Sequence, residues 1–74
     1  MDDYEKKFGQ RVKAARRKAG MSREELAGKL FVCVGTIKSW EWGERTPKLY
    51  TACELAKVLK VSVGWLVAGE VIEK

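Results

Sequence analysis

Apolar residues recur along this chain at spacings of three and four, and no stretch shows the alternation of a strand. Four interruptions, at Gly20, 31–33, 43–47 and 60–62, divide the pattern into five helices. The first is predicted over 3–19, with Asp2 or Asp3 as its cap, Gly20 as its stop, and Phe8, Val12, Ala15 and Ala19 facing inward. The second opens on Ser22-Arg23-Glu24-Glu25, a capping box in which Ser22 and Glu25 satisfy each other's free backbone N–H groups. Leu26 and Leu30 mark its buried side. The third is predicted over 34–42, burying Ile37 and Trp40 and stopping at Gly43. The fourth is expected to open at Thr46-Pro47, a capping residue before a proline suited to the first helical position. Its stripe is Leu49, Ala52, Leu55, Ala56 and Leu59. The fifth runs from Ser62 as cap to Ala68, with Gly69 as its stop, and the 70–74 tail is expected to fray. The expectation is an all-α, compact five-helix fold: one domain over 1–74 with its core at about 4–69.

Size and composition narrow the function classes. A chain of 74 residues buries only ~60% of its unfolded surface, so its stability is expected to be marginal. The net charge of +5 suits a polyanionic partner, either nucleic acid or an anionic membrane, and suits simple solubility as well. Cys33 and Cys53 have no C-x-x-C partners and the chain has no histidine, so no metal site and no cofactor are expected. The same cysteine usage favours a reducing cytoplasm. The apolar runs at 30–34 and 61–68 are far too short to cross a bilayer, and the charged first twenty residues are no signal peptide. Without a histidine base, a partnered nucleophile or a phosphate-cradling glycine loop, an enzyme is not expected, nor a small-molecule substrate. The adjacent Glu24 and Glu25 are explained by the capping box.

Two short helices joined by about three residues, with Ala27 and Ile37 where they must touch, form a helix-turn-helix, although that spacing alone fits any helical hairpin. The residues themselves are more specific. The run Gly20-Met21-Ser22-Arg23-Glu24-Glu25-Leu26-Ala27, then Thr36-Ile37-x-x-Trp40-Glu41-x-Gly43, then Pro47, resembles the Cro/phage-repressor-like (XRE-type) helix-turn-helix DNA-binding family. Leu55-Ala56-Lys57-x-Leu59-x-Val61-Ser62-x-x-Trp65-Leu66 continues the likeness, which covers roughly residues 8–69. The resemblance implies a lambda-repressor-like fold and a cytoplasmic, nucleoid-associated transcriptional regulator of a bacterium or phage. It would be a repressor, binding double-stranded DNA sequence-specifically as a homodimer on palindromic half-sites. It further implies that Arg16 and Glu41 form a buried salt bridge between the first and third helices, the alternative being two unrelated surface charges. Arg23 and Arg45 match positions that contact DNA phosphates in that family; Lys48, close to Arg45 in the chain, and Trp42, on the outer side of the third helix, are added as phosphate candidates.

Helical geometry then supplies a reading face. With Ile37 and Trp40 inward, Val34, Gly35, Lys38, Ser39 and Trp42 point outward. Lys38 suits guanine O6 or N7, Ser39 several base edges, and Val34 a thymine methyl, with Gly35 in the same base-contacting stretch. Each alone reads equally as exposed surface. The turn departs from the family: Phe31 stands where glycine is usual, because the backbone there takes positive φ. A phenylalanine so placed costs ~1–2 kcal/mol, unless the turn takes another path and displaces the third helix. Cys33 replaces a serine or threonine cap, removing ~1 kcal/mol of hydrogen bonding. The basic run Arg11, Lys13, Arg16, Arg17, Lys18 is read as a solvated face that adds general attraction to DNA, with Arg16 set aside. The competing reading is a protein-interaction module of the same fold, with Val34, Trp42, Trp65, Val67, Val71 and Ile72 as its apolar surface.

Overall fold

The computed structural model describes residues 3–70 and consists, over that range, of five α-helices: α1 (Asp3–Lys18), α2 (Arg23–Leu30), α3 (Val34–Glu41), α4 (Leu49–Leu59) and α5 (Val63–Ala68). Packing closes a ring: α1 lies on α3, α3 on α2, α2 on α4, α4 on α5, and α5 returns to α1. At its centre Phe8, Val12, Leu26, Ile37, Leu55 and Leu66 are fully buried. None of the described helices is long and apolar enough to cross a membrane.

The caps expected from the sequence form. Ser22 Oγ accepts from Glu25 N–H at 3.0 Å while Glu25 Oε1 accepts from Ser22 N–H at 2.8 Å, completing the capping box. Ser22 thereby fixes where α2 begins. Ser62 Oγ accepts from Trp65 N–H at 3.0 Å and starts α5 in the same way. Cys33 makes no side-chain cap, as its thiol leads one to expect. The expected cap at Asp2 and the apolar Val71 and Ile72 lie outside the described residues.

Four expectations are corrected. Ala19 is exposed rather than inward, because α1 ends at Lys18 and Gly20, at φ +73°, turns the chain away. The buried stripe of α1 ends instead on Ala15 and Arg16. Trp42 is the C-cap of α3 and not its last helical residue. Thr46-Pro47 does not open α4: residues 45–48 take no regular structure, Lys48 is the extended cap (ψ 160°), and Leu49 is the first helical residue. Proline disfavours helical backbone at the residue before it, here Thr46, and α4 then packs on α2 and α5. Leu49, expected in the stripe, is consequently 73% exposed, and the buried face of α4 begins at Ala52.

The turn resolves the question posed by Phe31. Phe31 sits at φ 59°, ψ 42°, the left-handed region, and the residue is 94% exposed. Its N–H donates to Gly28 O and Val32 N–H donates to Ala27 O, the paired bonds of a Schellman ending. Lys60 closes α4 in the same conformation, at φ 61°. These bonds, with the crossing of α2 and α3, hold the turn on its path, so the strain stays in the Phe31 backbone. Phe31→Gly relieves ~1–2 kcal/mol of that strain and returns part of it through a more flexible unfolded chain. The ring buries almost nothing, so no packing is lost. The expected net gain is ~0.5–1 kcal/mol, seen as a rise of several degrees in thermal melting. A fall would mean that the ring packs on something in solution.

Candidate nucleic-acid interface

The helix-turn-helix is positioned by a buried ion cluster. Arg16 on α1 and Glu41 at the end of α3 are each 7% exposed, and Arg16 Nε donates to Glu41 Oε2 at 2.6 Å. Arg16 Nη2 reaches Glu41 Oε1 at 3.4 Å, and Nη1 donates to Met21 O at 2.8 Å, just before the cap of α2. One guanidinium therefore ties together α1, the entry to α2 and the end of α3. The structure brings this pair together as the resemblance implied. It adds a third member: Arg23 Nε donates to Glu41 Oε1 at 3.0 Å, and the Arg23 side chain is 29% exposed. Arg23 is thus a bridge from the first turn of α2 to Glu41 before it is anything else.

The outer face of α3 follows from what its inner face does. Ile37, Trp40 and Glu41 are buried between α1 and α2. At 3.6 residues per turn the opposite arc carries Gly35, Ser39 and Trp42. Gly35 and Trp42 are exposed, and Ser39 is half-buried. Val34 and Lys38 stand on one shoulder of this arc, both half-buried, and Val34 packs partly on the core. Gly35 and Ser39 share an open groove of ≈ 770 Å³ with Arg45 and Lys48 from the loop before α4. The loop is held to the helix through Ser39 O, which accepts Glu44 N–H at 2.9 Å and Arg45 N–H at 3.3 Å. Two of the four phosphate candidates therefore face the same concavity as two of the four base candidates. Lys38 and Val34 lie beside that groove, and Arg23 is drawn toward Glu41.

Thr36 also lines the groove and was passed over as a candidate. Its signal was available, since it sits on the shoulder of α3 opposite Lys38. Gly9 was missed more completely. A Cβ there would meet the backbone oxygens of Trp40 and Glu41, the latter at 2.6 Å, so α1 approaches the end of α3 as only glycine permits. Arg11 is corrected: it is half-buried, and its Nε donates to Leu66 O at 2.9 Å. That carbonyl belongs to the last turn of α5, where a cation satisfies an acceptor the helix leaves open. Arg11 ties α1 to α5 rather than joining the solvated face. No cluster of residues suited to holding a metal ion occurs among the described residues.

Comparison with known proteins agrees with this geometry. A family model described as "Helix-turn-helix" matches residues 12–66. HTH-type transcriptional regulator ImmR of Bacillus subtilis is 32% identical over 67 residues, covering 90% of this chain and 53% of ImmR. The uncharacterized HTH-type transcriptional regulator YqaE of the same organism is 28% identical, with 90% and 58% covered. This chain thus spans little more than half the length of those relatives. Among solved structures, the restriction-modification controller protein C.AhdI from Aeromonas hydrophila superposes with a TM-score of 0.77 at 31% identity, covering 82% of this chain and 92% of that one. The competence regulator ComR from Streptococcus vestibularis gives 0.78 at 30%, with 96% of this chain but 24% of ComR covered. The match spans α2, the turn, α3 and the core beneath them, and the chain belongs to the XRE-type helix-turn-helix family.

Proposed function

We propose that this chain is the double-stranded-DNA-binding module of a transcriptional repressor, which lays α3 in the major groove and reads sequence there. The observation that carries this reading is the placement of α3. Its inner face is locked by α1, α2 and the ion cluster, while its outer arc shares a groove with the cations Arg45 and Lys48. Lys38 and Ser39 take base edges, Gly35 admits close approach, and the outer part of Val34 takes a thymine methyl. Arg23, Arg45 and Lys48 take phosphates, and the Trp42 indole N–H donates to another. The relatives' names, regulators and a controller protein, support the same role. Acting in the bacterial cytoplasm, the protein binds as a homodimer on half-sites about one helical turn apart.

Fluorescence anisotropy with duplex DNA across a salt series tests this. Binding is expected to weaken steeply with salt. Lys38→Ala should relax preference at one base position by ~1–3 kcal/mol, whereas Arg45→Ala should weaken every sequence alike and flatten the salt slope by about 1. Arg45 is a cleaner probe of phosphate contact than Arg23, which also holds Glu41. Matching effects from both variants would undo the assignment of roles. No binding at low salt would overturn the reading itself. A protein-interaction module would then lead, because Phe31, Leu49 and Tyr50 are exposed apolar side chains, and Phe31 and Tyr50 flank one hollow between α2 and α4.

A further inference from the structure

We propose that Glu41 is the positioning residue for Arg23, so that the cluster joining α1 to α3 also aims a guanidinium at the DNA backbone. This rests on the DNA-binding reading above. The argument begins with a charge count. Two guanidiniums converge on one carboxylate, whose side chain is fully buried and whose two oxygens are both engaged. Arg16 has spent its donors inward, on Glu41 and on Met21 O. The uncompensated positive charge therefore emerges at Arg23, the partly exposed member.

Arg23 is attached by Nε alone, and among the described residues its two terminal nitrogens bond nothing else. Of the two acids beside it in α2, Glu25 is spent on the Ser22 N–H, and Glu24 is exposed and makes no bond to it. What the cluster lacks is a singly charged oxygen acceptor on its solvent side, the chemistry of a phosphodiester. A guanidinium can serve two acceptors on different edges at once, Nε on Glu41 and the terminal nitrogens on phosphate, because its donors form a rigid fork. A lysine ammonium presents a point charge and has no such fixed pair of edges. Arg23 therefore meets the backbone pre-aimed, and Glu41 acts on DNA through it.

The test measures duplex-DNA affinity for Arg23→Lys and Arg23→Ala beside the unaltered chain, at one salt concentration and with the folded fraction followed by circular dichroism. Arg23→Lys is expected to lose about tenfold, nearly as much as Arg23→Ala, the scale of one charge-assisted hydrogen bond. Binding of Arg23→Lys at full strength would overturn the inference, because charge without aim would suffice. If the unaltered chain fails to bind, it is the DNA reading that falls. The second arm places Glu41→Gln in both backgrounds. A several-fold loss beside Arg23 and none beside Arg23→Ala supports the coupling; equal losses place Glu41 in the fold only and overturn it. Should Glu41→Gln not fold, Glu41→Asp takes its place in the same two backgrounds: it keeps the charge but withdraws the carboxylate from Arg23 Nε, and the same pattern of losses decides.

Discussion

Gly9→Ala is expected to be among the most destabilising single-methyl changes in this domain. The added Cβ would press on the backbone oxygens of Trp40 and Glu41, which no side-chain rotation can move aside. Relief requires shifting α1 off the end of α3, where the Arg16–Glu41 pair depends on a 2.6 Å bond. Gly43 faces the same junction from the other side: it sits at φ +80° with Lys6 against it. Overpacking ordinarily costs ~1–3 kcal/mol, and a rigid obstacle places this case at ~3 kcal/mol or above. For a domain of this size that lowers the melting temperature by ~12–24 °C. Gly28→Ala is the control. It lies mid-helix on α2 with nothing within 4 Å of the added carbon, so it should gain up to ~1 kcal/mol from helix propensity. Opposite signs are the expected result, read by thermal melting. Shifts in the same direction would mean that α1 and α3 are not in such close approach.

The contrast between these two glycines shows what the sequence could and could not carry. Ser22, Ser62 and Gly69 were legible because a cap is decided within four residues of chain. The buried stripes were legible because each helix is amphipathic on its own. Gly9 was not, since a glycine inside a helical pattern says nothing about which backbone approaches it. Arg11 was hidden by its neighbours: within a basic run every member looks solvated, and its partner lies fifty-five residues away at Leu66. The start of α4 was misplaced because Thr46-Pro47 satisfies local capping rules, while the helix begins two residues later, after the extended Lys48. Phe31 stood between strain and a rerouted turn, a choice that depends on tertiary bonds rather than on propensity. At the candidate site, the resemblance pointed to the pair Arg16 and Glu41. The third member, Arg23, came from packing that brings the start of α2 to the end of α3.

That third member sets the order of effects when the cluster is taken apart. Removing one partner of a buried pair leaves an uncompensated charge and costs ~3–5 kcal/mol. A domain of this length has a total stability of only ~4–11 kcal/mol. Arg16→Met strips Glu41 of one guanidinium but leaves it bonded to Arg23 at 3.0 Å, so its cost should fall at the low end of that range. Glu41→Leu leaves the buried Arg16 with no anion and turns Arg23 loose beside it. Its cost should reach the high end and bring the chain close to unfolding at room temperature. The double variant Arg16→Met, Glu41→Leu replaces the pair with apolar groups of similar volume and should recover most of the loss. Arg23, already partly exposed, can then turn to solvent. Urea unfolding followed by circular dichroism ranks the three, with the double variant nearest the unaltered chain and Glu41→Leu lowest. If Arg16→Met proves as damaging as Glu41→Leu, Arg23 does not compensate the carboxylate, and the cluster reduces to a simple pair.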